Sequence, residues 1–169
     1  MKVYLDNNAT TKVDDKVLEA MLPYLKENYA NPSSMYDPAR TSAKAIEKAR
    51  EQVADFLGAQ DAKEILFTSC ATESANTAIK GVVEKYGSSL NNHIITSAVE
   101  HPCVLSVYEH LEKQGYKTSY IGVNENGELN VDSLLSKVTQ ETVLVSTHPI
   151  LLFCQVRNNH LSTFLPVSF

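Results

Sequence analysis

Two short stretches place polar and nucleophilic side chains where a strand would hand over to a helix. The first is Thr68-Ser69-Cys70-Ala71-Thr72-Glu73. Backbone N–H groups at a helix start, joined by the hydroxyls of Ser69 and Thr72, suit a phosphate dianion; equally, Ser69 or Thr72 could do no more than cap the helix. The second is Glu100-His101-Pro102-Cys103. An imidazole there can stack on a planar ligand or move protons near neutral pH, or it can be a loop or capping residue. Cys103 falls in a first helical turn, where the positive helix end stabilises a thiolate, yet Val104 and Leu105 after it also suit a small core residue. Neither GxGxxG nor GxxxxGK[ST] occurs, so neither a dinucleotide fingerprint nor a P-loop is expected.

Ligands of open α/β sheets bind beyond the carboxyl ends of the strands, so the order of elements decides whether the two stretches meet. Val17, Leu18, Met21 and Leu25 recur at helical spacing behind Asp14 and Asp15, which predicts a helix within 13–29 that Pro23 kinks or shortens. After a loop at 30–34, Ala43, Ile46, Ala49, Val53 and Leu57 predict a long helix closed by Gly58. Residues 64–67 read as a short buried strand, followed by a helix with Ala75, Ile79, Val82 and Val83 inward and Gly87 as its stop. The pattern then repeats: a strand at 93–97, a helix from Pro102 to Gly115, a strand at 118–123, a turn at 124–127, a short helix at 132–138 and a strand at 142–146. Such alternation predicts a three-layer α/β fold, a mainly parallel sheet with helices on both faces. Residues 147–169 contain no acidic residue, one arginine and neither period, so this atypical tail is not expected to continue the sheet.

Composition narrows the classes. A chain of 169 residues can bury one core, about two thirds of its unfolded surface, which favours one domain. With a net charge of −5 and no basic stripe, no nucleic-acid partner is expected. Cys70, Cys103 and Cys154 are odd in number and widely spaced, which argues against a disulfide framework and against a zinc site; no metal is expected, and a reducing cytoplasm fits best. The start lacks a long apolar segment and the longest apolar run, Ile150 to Cys154, cannot span a bilayer, so a soluble protein without a signal peptide is expected.

Five segments together are more specific than any one of them. YLDNNATTKVDDKVLEAMLPYL, NPSSMYDPARTSAKAIEKARE, EILFTSCATESANTAIKG, HIITSAVEHPCVLSVYEHLEKQGY and ETVLVS occur in an order and spacing that resembles the NifS/IscS-type cysteine desulfurases, fold type I enzymes of the class V aminotransferase group. The resemblance covers positions 3–146, and Cys70 looks like the NifS branch. It implies an arm at 1–13 that packs with a smaller domain, a partial large domain at 14–146, and pyridoxal 5'-phosphate as the family's cofactor, with weak or absent binding expected of this chain. By resemblance, Ala71 and Thr72 bind the cofactor phosphate, and His101 is a catalytic and cofactor-binding residue that stacks on the pyridine ring. The implied reaction converts L-cysteine to L-alanine and passes the sulfur to an enzyme persulfide for iron–sulfur cluster assembly. The implied assembly is a homodimer that serves a sulfur-acceptor scaffold protein.

The resemblance is incomplete. Tyr36 stands where NPSSxH has histidine, and Ala39 where glycine is usual. The family's Schiff-base lysine lies in a serine-x-histidine-lysine context, its pyridinium partner in D-x-x-Q, and its sulfur-accepting cysteine further on; none of these contexts occurs in the 169 residues. Asn158-Asn159 is a displaced echo of the family's NNExG, and the tail reads as the product of a frameshift, a premature end or a divergent gene fragment, the alternative being a functional extension. The expectation is therefore a truncated large domain that is inactive alone. Its rivals are a non-catalytic fragment pairing with a full-length desulfurase and another class V enzyme such as a selenocysteine lyase.

Overall fold

Asp14 caps the first helix, its carboxylate accepting the Lys16 N–H at 2.8 Å, and α1 runs Asp15–Lys26 with Pro23 inside its last turn. Helix α2, Asp37–Leu57, begins with Pro38 in its first turn and ends where Gly58 turns left-handed at φ 70°, the conformation that a residue without Cβ adopts at least cost. A 3-10 turn, Ala62–Glu64, follows. The computed structural model describes residues 3–7 and 9–147 and, as backbone strands, 153–157 and 160–164. It divides into one unit up to Ile65 and another from Leu66 onward.

The first unit departs from expectation in two ways. Its apolar helix positions form the helices but are not enclosed: no residue of α1 is buried, with Val17 50% and Leu25 66% exposed, and α2 buries only Ala39, Ser42 and Ala54. Residues 64–67 do not form the predicted strand. Glu64 ends the 3-10 turn, Ile65 is extended with its carbonyl taken by the Arg50 guanidinium, and no described strand lies beside it to close a ladder. Leu66 and Phe67, 66% and 47% exposed, begin the second unit. An apolar run supplies strand propensity, but a strand exists only where a neighbour satisfies its backbone.

The second unit carries the alternation. Helix α3 (Ala71–Tyr86) precedes β1 (His93–Ser97), α4 (Pro102–Lys113) leads to β2 (Lys117–Ile121), and α5 (Val131–Lys137) leads to β3 (Thr142–Ser146). Strand β1 pairs in parallel with β2 on one side and β3 on the other. Every residue of β1 and β3 is buried, as parallel strands covered on both faces require. One face carries Ile94 and Leu144 against Ala75, Ile79 and Val83 of α3 and Val104, Val107, Tyr108 and Leu111 of α4. The other carries Ile95, Ile121 and Val145 against Leu134 of α5. These are three layers, and each fully buried Ile or Leu contributes about 1.5–3 kcal/mol relative to exposure. Gly87 ends α3 because it passes under Tyr116: a Cβ there would collide with the Tyr116 hydroxyl and the Val83 carbonyl.

The tail differs from its reading. Strands β4 (Phe153–Arg157) and β5 (His160–Phe164) extend the sheet in the order β2-β1-β3-β4-β5, both antiparallel to their neighbours. The parallel character is therefore that of β2-β1-β3 alone. Absence of an alternating pattern does not prevent pairing at an edge that offers free backbone groups, because those groups recruit any extended chain. Asn158 and Asn159, the displaced echo, lie outside the described residues. Among the described residues no helix is long and apolar enough to cross a membrane.

Candidate functional site

Helix α3 starts without a side-chain cap. Cys70 holds the N-cap position in extended conformation, φ −168° and ψ 169°, and the first helical bond runs from Ser74 N–H to the Cys70 carbonyl at 3.1 Å. Ser69 does not cap: its N–H and its hydroxyl both donate to Glu73 Oε2, at 2.6 and 2.7 Å. Those bonds hold the Glu73 carboxyl below the usual carboxylate range, the hydroxyl first. Thr68 and Ser74 lock the turn from the other side, their hydroxyls 2.5 Å apart. Thr72 does not cap either; its carbonyl accepts from the Asn76 amide at 2.9 Å. The capping alternative raised for Ser69 and Thr72 is thus not what this helix uses.

The start of α3 consequently has anion-stabilising capacity to spare. Its effect is visible on Cys70, an exposed thiol held below the ordinary value chiefly by the Glu73 N–H and then by the Ser69 hydroxyl. A phosphate fits such an end: the N–H groups of Ala71 and Thr72 and the Thr72 hydroxyl are donors, and Ala71 and Thr72 are exposed. The Glu73 carboxylate is turned back onto Ser69.

His101 is the N-cap of α4. Its Nδ1 accepts the Cys103 N–H at 3.2 Å, and its carbonyl accepts from Val104 and Leu105 at 2.8 and 3.2 Å. Because Nδ1 is an acceptor, the neutral ring carries its proton on Nε2. The ring is therefore both a cap and an oriented, exposed donor, two readings that sequence could only set side by side. Cys103 is half-buried against the core of α3 and α4, which favours its core reading over a nucleophile.

One groove joins the two stretches. Thr72, Asn76 and Lys80 of α3 line one wall, and Pro102, Cys103, Ser106 and Val107 of α4 line the other. A second groove continues the pairing with Lys80, Val83 and Glu84 against His110, Leu111 and Gln114. The helices therefore run side by side in the same direction, and Thr72 and the residues following His101 lie at one end of them. Lys80 was not singled out from sequence, although Thr72, Asn76 and Lys80 at four-residue spacing form a stripe on one helix face.

Behind the groove lies a polar layer. Tyr108 is fully buried and its hydroxyl donates to the Ile95 carbonyl at 3.1 Å. Burial pushes its pKa far up, against the smaller opposing effect of the Ser146 and Thr96 hydroxyls. Thr96 and Ser146 face each other across β1 and β3, and Glu100 is 6% exposed in the loop that carries His101. Among the described residues no group of three or more His, Cys, Asp or Glu side chains could hold a metal ion. Tyr36 and Ala39 belong to the other unit.

Comparison with known proteins gives a consistent set of matches. The sequence profile described as "Aminotransferase class-V" matches residues 3–152. A cysteine desulfurase of Nostoc sp. is 47% identical over 165 residues, 98% of this chain and 39% of that protein. A solved structure titled "NIFS-LIKE PROTEIN" superposes with a TM-score of 0.82 at 43% identity, covering 87% of this chain and 40% of that one. Another, titled "SspA in complex with cysteine", gives 0.75 at 37% identity over 82% of this chain and 40% of that one. The chain spans about 39% of the length of the curated relative it matches.

Proposed function

The chain belongs to the aminotransferase class-V family, and from that premise we propose that it carries the phosphate- and ring-binding part of a cysteine desulfurase of the NifS/IscS kind. The observation that supports this reading most is the single groove that puts Thr72 beside the first turn of α4, whose cap is His101. In the proposed site the N–H groups of Ala71 and Thr72 and the Thr72 hydroxyl hold the phosphate of pyridoxal 5'-phosphate. His101, its Nδ1 held by the Cys103 N–H, would present its ring face to the pyridine ring, with the in-plane Nε2 proton left for a group beside that ring. The cofactor, when bound, supplies an electron sink for the α-carbon of an amino acid. Tyr108, tied to the Ile95 carbonyl, fixes α4 on the sheet so that the cap position does not drift.

For the whole protein, the substrate on this reading is L-cysteine and the product L-alanine, with the sulfur passed on towards iron–sulfur cluster assembly by a cytoplasmic homodimer. A serine-x-histidine-lysine context is absent from the 169 residues, and the chain alone is proposed to bind the cofactor without turnover. The exposed apolar faces of α1 and of Leu66 and Phe67 favour a second reading, a fragment that pairs with a full-length desulfurase subunit.

The test is a binding titration of the chain with pyridoxal 5'-phosphate and with pyridoxal. Binding that requires the phosphate and weakens by about tenfold or more in Thr72→Val, the loss of a charge-assisted hydrogen bond, is expected. Equal binding of pyridoxal would remove the phosphate site. With cysteine added, sulfide release is expected to stay at the level of free cofactor; release above it, abolished by changing one lysine, would overturn the claim of inactivity.

A further inference from the structure

The connection from β2 to α5 is closed by one asparagine. The Asn124 N–H donates to the Glu128 carbonyl at 2.9 Å, and Asn124 Oδ1 accepts the N–H groups of Asn126 and Glu128 at 3.0 and 2.9 Å. Asn124 Nδ2 donates to Glu128 Oε2 at 2.7 Å. Val123 and Leu129 form an antiparallel bridge below the turn, and Leu129 packs against the core that holds Leu134 of α5. The turn itself projects, with residues 124–128 all exposed.

At its tip stands the only asparagine of the sequence that is followed by glycine, Asn126-Gly127. The Asn126 carboxamide has no hydrogen-bond partner among the described residues, so its Cγ is held by nothing but its own rotamer. Gly127 has no side chain to shield its nitrogen, and its φ of 81° reserves the place for glycine. That nitrogen is engaged once, its N–H donating to the Asn124 carbonyl at 3.0 Å. An exposed tip opens at far lower free energy than the sheet, and each opening frees the nitrogen.

We propose that Asn126 is a site of spontaneous covalent modification, with water as co-reactant, and that the turn closed by Asn124 sets its rate. The deprotonated Gly127 nitrogen attacks Asn126 Cγ; the new N–Cγ bond closes a succinimide ring, the Cγ–Nδ2 bond breaks, and ammonia leaves with the proton given up by the amide. Water then opens the ring at one carbonyl or the other, leaving an aspartyl or an isoaspartyl residue, and nothing is oxidised or reduced. The isoaspartyl form routes the main chain through the former side chain and lengthens it by a methylene, which a turn tied at 124, 126 and 128 cannot absorb. Either form sets a carboxylate between Glu125 and Glu128. Nothing here depends on the proposed cofactor site, which lies at the starts of α3 and α4.

The test incubates the full chain in mildly alkaline buffer made with heavy-oxygen water, digests it in ordinary water and resolves the peptides by mass spectrometry. Asn126 is expected to take up heavy oxygen ahead of every other asparagine and to give both isomers, the isoaspartyl form in excess. Label arriving first at another asparagine, or an aspartyl product alone, would overturn the proposal. Asn124→Ala removes the oxygen that holds the Asn126 and Glu128 N–H groups and is expected to speed the conversion about fivefold, the equivalent of one hydrogen bond. An unchanged or slower rate would show that the turn does not set it. In the isoaspartyl chain, separated by chromatography, the Asn124 amide is expected to lose protection from hydrogen exchange while Ala98, bonded to the Ile121 carbonyl at 2.8 Å, keeps its own. Protection retained at Asn124, or lost equally at Ala98, would refute a change confined to the turn.

Discussion

At the residue scale, the informative atom is the sulfur of Cys70. It is exposed, sits at the start of α3 and is favoured as thiolate by the Glu73 N–H and the Ser69 hydroxyl, whereas Cys103 is half-buried against the helix pair. Alkylation by iodoacetamide near neutral pH, followed by mass spectrometry, is expected to label Cys70 well ahead of Cys103. Glu73→Ala should slow the difference little, because the N–H that acts on the sulfur belongs to the backbone. Comparable rates at the two cysteines would show that the helix start is not the anion-stabilising end that the cofactor reading requires. The residue types of both stretches were legible in sequence, but their division of labour was not. Ser69 looked like a cap and instead anchors Glu73, while His101 is a cap and an exposed donor at once. Such roles depend on which hydrogen bond a side chain makes, and several are open to the same residue at the same place in the chain.

At the element scale, β1 and β3 lie where the sequence predicts them, at 93–97 and 142–146, each built around a short apolar centre, Ile94-Ile95 and Val143-Leu144-Val145, as strands buried on both faces require. Helices α2 and α3 were legible from spacing and from Gly58 and Gly87. The segment 64–67 and the tail were not, and for one reason: pairing is settled by what lies alongside, which a local pattern does not contain. Gly58 supports a prediction of its own. With φ at 70° and nothing near enough to touch an added Cβ, Gly58→Ala meets only backbone strain. A loss of about 1–2 kcal/mol is expected in urea unfolding followed by circular dichroism. A neutral effect would mean that α2 ends differently in solution.

At the scale of the whole molecule, the two units are unequal. The second encloses Ile79, Ile94, Tyr108 and Leu144 completely, while the first leaves Val3, Tyr4, Leu5, Val17, Leu18, Met21 and Leu25 in solvent. An uncovered apolar surface on the order of several hundred Å² marks an interface or an aggregation liability. Size-exclusion chromatography with light scattering is expected to show association that grows with concentration. The double change Val17→Glu and Leu25→Glu should shift the chain towards monomer, with a thermal midpoint held by the second unit. A monodisperse monomer before any change would show the first unit to be self-sufficient. Composition bounded this only loosely, since the count of apolar residues in 169 does not say how many find a neighbour.

The common direction of α3 and α4 has an electrical consequence. Peptide dipoles laid side by side and pointing the same way repel, and α3 and α4, each leading into a strand of the same parallel pair, have no choice of direction. With α3 of 16 residues beside α4 of 12, two partial positive charges are held together at one rim of the sheet. The Glu73 carboxylate in the first turn of α3 answers part of that charge, and the first turn of α4 carries no acidic residue. Whatever anion settles there relieves a tension that the sheet's own connectivity creates, so occupancy should stiffen the helix pair as well as fill the groove. In the ledger of mass action, the ligand and the fold then stabilise each other through the same two helix ends.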